Sequence, residues 1–321
     1  YLKGAPKAEN YSVVETDLPA PAEGQVTVRN LYISVDPYMR GRMSGIKTYI
    51  DPFKLGAVME GGAVGEVVES RFDGLKPGDH VMSMLGWREA YTASGKAVQK
   101  IDTSLLPPQA FLGIAGLTGL TAYVGIRRII DLQAGETMWM SAGAGAVGSA
   151  GIQFAKAMGA NVVATAGGQE KCDYLKTIGA DHAIDYKATD DLTAAIRAAV
   201  PEGVDGYFEN VGGTHFTAAL NTMKQFGRMA ACGMIQRYND AEPASITDNL
   251  TFIVGKSLKI QGFIVSNHLD IQPEFIKDLS NWMMAGKITP DETIMDGIET
   301  APEAFAGLFA GLNKGKMLVK I

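Results

Sequence analysis

Six residues near the middle of the chain restrict most strongly what the sequence can fold into. Residues 143–148 read Gly-Ala-Gly-Ala-Val-Gly, which is the pattern G-x-G-x-x-G. The pattern lies between an apolar stretch at 137–142 and a helix-like segment at 149–158. There the first glycine permits a tight turn, the second lets the backbone approach a pyrophosphate, and the third allows close helix packing. We therefore predict a phosphate-binding turn at a helix N-terminus, with a compact turn that binds nothing as the alternative.

The segments on either side of this turn predict two kinds of architecture. From about 25 to 94 the sequence is glycine-punctuated, with strand-like runs at 26–34, 63–70 and 80–84, which indicates a β-rich region. After about residue 116, apolar strands alternate with amphipathic segments of helical length. We predict strands at 137–142, 162–166, 182–186, 206–211, 227–232 and 258–265, and a helix at 272–285. Such a series predicts a doubly wound parallel sheet, while the short apolar strand at 317–321 is left without an assigned sheet.

Composition excludes several classes of partner. The 321 residues include 46% hydrophobic residues, enough for the cores of two units, and the net charge of -6 shows no excess of basic residues for nucleic acid or anionic lipid. Two cysteines, Cys172 and Cys232, are too few for a disulfide framework and fit a reducing compartment. We expect no signal peptide, because no basic-then-apolar segment follows Tyr1. We expect a cytoplasmic protein that acts on a small molecule, with no nucleic-acid or membrane partner.

The metal-ligating residue types are scattered. His80, His182, His215 and His268 lie far apart, and neither cysteine falls in the N-terminal β-rich region. A catalytic zinc site needs three such ligands together, so we predict no metal site. A G-x-S-x-G nucleophile turn is also missing. Hydride transfer without a metal is the chemistry that remains.

The end of the second parallel strand decides which dinucleotide binds. An acidic residue there would hold the ribose 2′-hydroxyl of NAD, whereas a basic one would accept the 2′-phosphate of NADP. Residues 166–171 read Ala-Gly-Gly-Gln-Glu-Lys, so that both Glu170 and Lys171 follow the strand. We favour Glu170 in the first turn of the next helix and Lys171 on a phosphate. Lys171 as a solvated surface lysine, and Glu170 as an NAD-type acid, stay open on these residues alone.

Several motifs in order along the chain resemble a known family. They are Asp36-Pro37-Tyr38-Met39-Arg40, Gly78-Asp79, the stretch 116–123, the glycine turn, Glu209-Asn210-Val211-Gly212-Gly213 and Cys232-Gly233-Met234-Ile235. Over nearly its whole length the chain resembles the zinc-free medium-chain dehydrogenase/reductase superfamily. Within it, the chain is similar to the branch of leukotriene B4 12-hydroxydehydrogenase, prostaglandin reductases, plant double-bond reductases and bacterial NADPH-dependent curcumin reductases. Residues 37–44 and 261–264 are most similar to the curcumin reductases.

The resemblance implies an α/β fold with a Rossmann doubly wound parallel-sheet domain and a GroES-like β-rich catalytic domain. The catalytic domain would span 1–117, with 290–321 returning to it, and the nucleotide domain would span 118–289, with a cofactor cleft between the two. The implied cofactor is NADPH, which decides the choice left open above. Its implied binding residues are Gly145, Ala146, Val147, Gly148, Gly168, Lys171, Tyr186, Asn210, Cys232, Gly233, Met234, Tyr238, Phe263, Ile264, Val265 and Asn313.

The resemblance also implies an activity. We expect reduction of the C=C bond of α,β-unsaturated ketones and aldehydes, with hydride delivered to the β-carbon and Tyr238 stabilising the enolate oxygen. Tyr238 as a loop anchor is the alternative. Tyr38, Tyr49, Met234 and Tyr238 are expected to line the substrate site, although aromatic and methionine residues in a β-rich domain are often core.

Two other functions are compatible with the same sequence. One is an NADPH quinone reductase of the zeta-crystallin type, and the other is a catalytically idle NADPH-binding protein. We also expect a homodimer, because the alternating strand at 258–265 would lie at a sheet edge that a second copy can cover.

Overall fold

A computed structural model describes residues 1–240 and 249–321 and groups them into two units. The terminal unit contains Tyr1–Gly113 and Glu292–Ile321, and the central unit contains Ile114–Asp291. The sequence suggested boundaries at 117/118 and 289/290, a few residues from those of the structure. Each unit has its own sheet.

The strands are β1 (Gln25–Ser34), β2 (Ala63–Ser70), β3 (His80–Ser83), β4 (Ala90–Ser94), β5 (Gln99–Lys100), β6 (Thr137–Met140), β7 (Asn161–Ala166), β8 (His182–Asp185), β9 (Val204–Glu209), β10 (Met223–Ala231), β11 (Lys259–Gly262), β12 (Glu292–Asp296) and β13 (Lys316–Lys320). The helices are α1 (Tyr38–Arg42), α2 (Leu117–Val124), α3 (Ala146–Ala157), α4 (Gln169–Thr177), α5 (Leu192–Ala199), α6 (Thr214–Thr222), α7 (Thr251–Gly255), α8 (Gln272–Met284) and α9 (Ala301–Ala310). A π-helical segment, Gly125–Ile130, continues α2.

The terminal unit is organised around strand β1. Its order is β12-β13-β1-β2-β3-β5, with β4 also paired to β1. Strand β1 pairs with β2 along one edge, and its other edge is shared by β4 at residues 25–29 and by β13 at residues 32–34. The final strand of the chain therefore completes the sheet that the first strand begins. The parallel β12–β13 pair makes this sheet mixed.

A buried ion pair fastens the last strand to the chain that follows β1. The Lys316 ammonium is 3% exposed and donates to Val35 O at 2.9 Å, Asp36 Oδ1 at 3.0 Å and Met317 O at 3.1 Å. These three bonds satisfy all three donors of the lysine. The other carboxylate oxygen of Asp36 accepts from Ser34 Oγ. The pair is thus fully hydrogen-bonded, which is the condition under which a buried charge is tolerated.

The central unit is a six-stranded parallel sheet in the order β11-β10-β9-β6-β7-β8. The order along the chain reverses between β6 and β9, which makes this the topological switch point. In doubly wound sheets, ligands bind outside the carboxyl ends of the strands at such a point. One face packs on a core that contains Tyr123, Phe154 and Phe275, and the other on a core that contains Trp139 and Tyr207.

The α/β fold class is confirmed, with three local corrections. Helix α3 begins at Ala146, earlier than the predicted 149, because the glycine turn itself enters the helix. Strand β10 begins at Met223 rather than at 227, with an irregular register before Arg228. The predicted strand at 258–265 is shorter, since only Lys259–Gly262 pairs with β10.

Across residues 1–240 and 249–321, none of the helices combines the length and apolar character that a membrane span requires.

We predict that Lys316→Met lowers the free energy of unfolding by about 3 kcal/mol, because it leaves the Asp36 carboxylate without its cation. The measurement is urea unfolding followed by circular dichroism. The control is Lys320→Met, which removes an exposed lysine from the same strand and is expected to change stability by less than about 0.5 kcal/mol. Equal stabilities for the two variants would contradict a structural role of the pair.

Candidate functional site

The turn between β6 and α3 is held by close backbone contacts. Ala142 adopts a left-handed φ of 48°, an uncommon conformation for a non-glycine residue. A Cβ atom on Gly148 would lie 2.3 Å from Ala142 O and 2.8 Å from Gly143 Cα. Only glycine allows α3 to approach the end of β6 so closely. The structure thus gives the third glycine of the pattern the packing role predicted for it.

The N-terminus of α3 has the properties of an anion-binding site. Gly145 is the N-cap, and in the described part of the chain no side chain caps this helix. The first turn contains no acidic residue. A Cβ on Gly145 would come within 4 Å only of Ala142 O, at 3.3 Å, so the backbone there is accessible. The amides of the first turn lack intrahelical acceptors and carry the positive end of the helix dipole.

Ser141 joins the ends of the two strands at the switch point. Its hydroxyl donates to Phe208 O at 3.0 Å and accepts from Asn210 N at 2.8 Å. The Asn210 side chain, in turn, donates from Nδ2 to Ser141 O at 2.9 Å. These bonds fix Asn210 beside the glycine turn. Sequence analysis predicted that Asn210 binds the cofactor.

Glu209 shapes the loop that follows β9. This residue is fully buried, and its Oε1 accepts from Val211 N at 2.6 Å and Gly212 N at 2.9 Å. Burial raises the pKa of the carboxyl, and the two amide bonds oppose that rise. The carboxyl group therefore holds the backbone of the loop in a tight turn.

The loops after β9 and β10 are joined by main-chain bonds. Cys232 N donates to Glu209 O at 3.0 Å, Ile235 N to Asn210 O at 3.0 Å, and Gln236 N to Val211 O at 3.1 Å. The two loops also pack closely at Gly212, because a Cβ atom there would lie only 3.3 Å from Met234 Cβ. The two loops form one continuous edge at the carboxyl ends of the strands.

Tyr238 turns back over this edge. Its hydroxyl accepts a hydrogen bond from Met234 N at 3.3 Å, and a Cβ on Gly233 would lie 3.1 Å from the Tyr238 hydroxyl oxygen. The ring is half-buried. Because the oxygen accepts an amide proton, the phenol is polarised as a donor.

Cys232 lies in the same loop and is not activated. Burial, with a smaller contribution from the nearby Glu209 charge, raises the pKa of its thiol to about 12. A thiol with so high a pKa stays protonated at neutral pH, and the thiolate is the nucleophilic form. The residue can contribute packing along the edge but not nucleophilic chemistry.

The residues expected at the ribose follow the neighbouring strands β7 and β8. Gly168, with a φ of 98°, caps α4, and Glu170 lies in the first turn of that helix, as the sequence favoured. Lys171 follows on the same helix and is half-buried. Tyr186 packs edge-on against His215, with ring centroids 5.0 Å apart. Burial lowers the pKa of His215 to about 4, so the imidazole that packs against Tyr186 is neutral near pH 7.

The last predicted cofactor residues of the central unit follow β11. Phe263 is buried, its amide donates to Ala231 O at 3.3 Å, and its ring packs against Phe208. Ile264 and Val265 are half-buried beside it. Among the predicted cofactor residues all but Asn313 therefore lie in loops or helix starts on the carboxyl side of the central sheet.

Three predicted residues belong to the terminal unit. Asn313 is buried and donates from Nδ2 to Gly315 O at 2.8 Å. Tyr38 begins α1 with a half-buried side chain whose pKa is raised by burial and by Asp36, and Tyr49 is exposed. Met39, next to Tyr38, is wholly buried core. The cofactor role of Asn313 and the substrate roles of Tyr38 and Tyr49 stay predictions.

Sequence analysis gave no site role to Ser141, Glu209 or Asp185, although each fixes a loop of the site. Asp185 Oδ1 accepts from Gly168 N and from Lys187 N, both at 2.9 Å. The signal was available, because all three lie at or just beyond the carboxyl end of a parallel strand. Within the described ranges, 1–240 and 249–321, no three or more His, Cys, Asp or Glu side chains lie together so that they could hold a metal ion.

Comparisons with known proteins cover both units. Residues 1–101 match the family model described as the N-terminal domain of oxidoreductase, and residues 146–283 match the one described as zinc-binding dehydrogenase. A 2-alkenal reductase (NADP+-dependent) of Nicotiana tabacum is 39% identical over 327 residues, covering 100% of this chain and 95% of its own. An NADPH-dependent curcumin reductase of Escherichia coli is 38% identical over 324 residues, which cover 99% of this chain and 94% of the reductase.

Solved structures also resemble the chain over its whole length. The crystal structure of CurA from Vibrio vulnificus in complex with NADPH superposes with a TM-score of 0.94 at 36% identity. The match covers 99% of this chain and 96% of CurA.

We predict that Cys232 in the native protein reacts slowly with iodoacetamide at pH 8, and that its labelling rate keeps rising to pH 10 without a plateau, because its thiol pKa is raised to about 12. Labelling is followed by mass spectrometry of the peptide, with protein unfolded in urea as the control. A native rate equal to the unfolded one, or a plateau below pH 9, would contradict the assignment.

Proposed function

Because the chain belongs to the medium-chain dehydrogenase/reductase superfamily, we propose that it is an NADPH-dependent reductase of C=C bonds conjugated to a carbonyl group. The superfamily assignment confirms the resemblance found in the sequence. The observation that carries the finer proposal is the Tyr238 hydroxyl, which lies over Gly233 at the edge formed by the loops after β9 and β10.

The residues present fit the pyrophosphate of a dinucleotide. The uncapped N-terminus of α3 offers amides to an anion, and Gly145 leaves the backbone accessible there. Gly148 brings the helix close enough to β6 for those amides to stand at the strand end. Ala146 and Val147 would supply the first of them.

The ribose end favours NADPH over NADH. Asp185, which pairs in register with Ala166 at the end of β7, accepts two backbone amides at Oδ1, so this oxygen is bonded to the chain rather than to a ribose hydroxyl. Glu170 is part of α4, and Lys171 follows it in the first turn. Lys171 and Tyr186 are the residues that we assign to the 2′-phosphate. The NADPH-bound structure of a 36% identical relative supports the same choice.

NADPH, when bound, supplies the hydride for the reaction. The task of the protein is to hold the substrate and to stabilise the negative charge that develops on the carbonyl oxygen as the β-carbon is reduced. Tyr238 is the donor that we assign to this oxygen. Its hydroxyl is oriented by the Met234 amide, so little reorganisation accompanies the reaction. Asn210, fixed by Ser141, would hold the ribose and nicotinamide side.

The relatives' names support the substrate class. A 2-alkenal and curcumin both contain a C=C bond conjugated to a carbonyl group, and the two reductases named for them resemble this chain over nearly its whole length. Such substrates are apolar, and the exposed Met234 offers an apolar contact next to Tyr238. The size of the substrate is left to experiment.

A substrate panel distinguishes the proposal from its alternatives. NADPH oxidation is measured with 2-alkenals, curcumin and quinones at one cofactor concentration, and with NADH in place of NADPH. The proposal expects turnover of the conjugated carbonyl compounds and preference for NADPH. Faster turnover of quinones would favour the quinone reductase, and cofactor binding with no turnover would favour the idle binding protein.

We predict that Tyr238→Phe lowers kcat on a 2-alkenal by about 100-fold, about 2.7 kcal/mol, because one preorganised donor to the oxyanion is removed. The Kd for NADPH is expected to stay unchanged. Steady-state kinetics and calorimetry give the two values.

The matched control is Tyr32→Phe, a half-buried tyrosine in strand β1 of the terminal unit. It is expected to keep wild-type kcat. Equal kcat for Tyr238→Phe and wild type would remove Tyr238 from the mechanism, and a parallel loss of NADPH affinity would assign it to the loop structure instead.

We also propose that the protein is a homodimer joined through β11. This strand lies at the edge of the central sheet and pairs only with β10 in the described chain. Nearby Val254 and Phe226 are large exposed apolar side chains. An uncovered edge with apolar neighbours is a surface that a second copy protects by symmetric pairing.

Sedimentation velocity at micromolar concentration is expected to give twice the 34.1 kDa mass of the chain. A single species at the chain mass would contradict the pairing.

A further inference from the structure

Two side chains from the turn after β8 reach across the backbone that follows β7. A Cβ atom on Gly167 would lie 2.7 Å from Lys187 Cε, 3.1 Å from Lys187 Cδ and 3.1 Å from the Tyr186 hydroxyl oxygen. A side chain at position 167 would press on the distal end of the Lys187 chain and on the Tyr186 hydroxyl. The distal methylenes of Lys187 and the Tyr186 hydroxyl therefore both lie against the same backbone position, just after the end of β7.

Asp185 produces this arrangement. Its Oδ1 accepts from Gly168 N and Lys187 N, so one carboxylate oxygen joins the turn after β7 to the turn after β8. The carboxyl end of β7 is the place where the ribose 2′ position is read in this type of sheet. Asp185, opposite Ala166 at this end, thus uses Oδ1 to hold the backbone from which Lys187 extends.

The charge of Lys187 is available to a ligand. Its side chain is exposed, and it forms no ion pair with any residue of the described ranges 1–240 and 249–321. By comparison, Lys156 pairs with Asp181, and Lys224 pairs with Asp205. An ammonium group is a strong point-charge partner for a phosphate.

We propose that Lys187 is a specificity-determining residue that contacts the 2′-phosphate of NADPH and adds to the preference over NADH. This inference rests on the proposed use of NADPH and adds a residue that sequence analysis passed over. Lys187 follows Tyr186 in the turn after β8, and Lys171 lies in α4 after β7, so the phosphate is contacted from both sides of this strand pair. The proposal concerns binding and leaves the hydride-transfer step unchanged.

The test is Lys187→Met, which keeps the alkyl chain over Gly167 and removes the charge. We expect the Kd for NADPH to rise about tenfold in calorimetry, the Kd for NADH to stay within twofold, and kcat at saturating NADPH to stay at the wild-type value. The matched control is Lys176→Met, an exposed lysine at the end of α4, which is expected to change none of these. Lys187→Arg is expected to retain tight NADPH binding.

A fragment measurement separates the phosphate from the rest of the cofactor. Wild-type protein is titrated with adenosine 2′,5′-bisphosphate and with adenosine 5′-monophosphate, and the variant is expected to lose affinity for the first only. Unchanged NADPH binding in Lys187→Met, or an equal loss for NADPH and NADH, would overturn the assignment of Lys187 while leaving the reductase intact. Failure of the wild-type protein to bind NADPH would instead overturn the proposed function.

Discussion

The close approach of helix α3 to the end of strand β6 is the contact on which the rest of the site depends. It requires a residue without a side chain at Gly148, because a Cβ there would collide with the Ala142 carbonyl and with Gly143. The approach puts the uncapped helix N-terminus at the switch point of the sheet. A wider packing distance would move those amides away from the strand ends and leave them with water as a partner.

The loops around this helix N-terminus are fixed by polar side chains that lie at the ends of the strands. Ser141 joins β6 to β9, Glu209 folds the loop after β9, and Asp185 joins the turns after β7 and β8. Each side chain bonds to backbone amides or carbonyls, so the loops are held without contact to a ligand. Such preorganisation lowers the ordering cost when a ligand binds.

The sequence predicted the parts of the fold that carry local signals. The glycine turn, four of the six parallel strands near their observed bounds, and the helix at 272–285 follow from periodicity and turn residues. Strands β4, β5 and β12 escaped detection because they are short or half-exposed and depend on distant partners, β1 for β4 and β13 for β12. The return of β13 to β1 came from the family resemblance, since five apolar residues indicate a strand but not its sheet.

The site was predictable to a similar degree. Glycines and the Glu209–Gly213 motif marked the strand ends, whereas Lys187 gave no signal, because a lysine after an apolar run is ordinarily a surface residue. Its place beside Gly167 and the two amides that bond to Asp185 are seen only in the folded chain. Specificity at the ribose therefore depends on tertiary contacts that local sequence patterns do not encode.

The most direct test of the proposed chemistry follows the hydride itself. A 2-alkenal is reduced with NADPH that carries deuterium at the transferable position of C4, in the presence of a chelator, and the product is examined by NMR. The account predicts a saturated aldehyde with deuterium on the β-carbon and a rate unaffected by the chelator. Deuterium on the carbonyl carbon, with an allylic alcohol as product, or loss of turnover with the chelator, would contradict it.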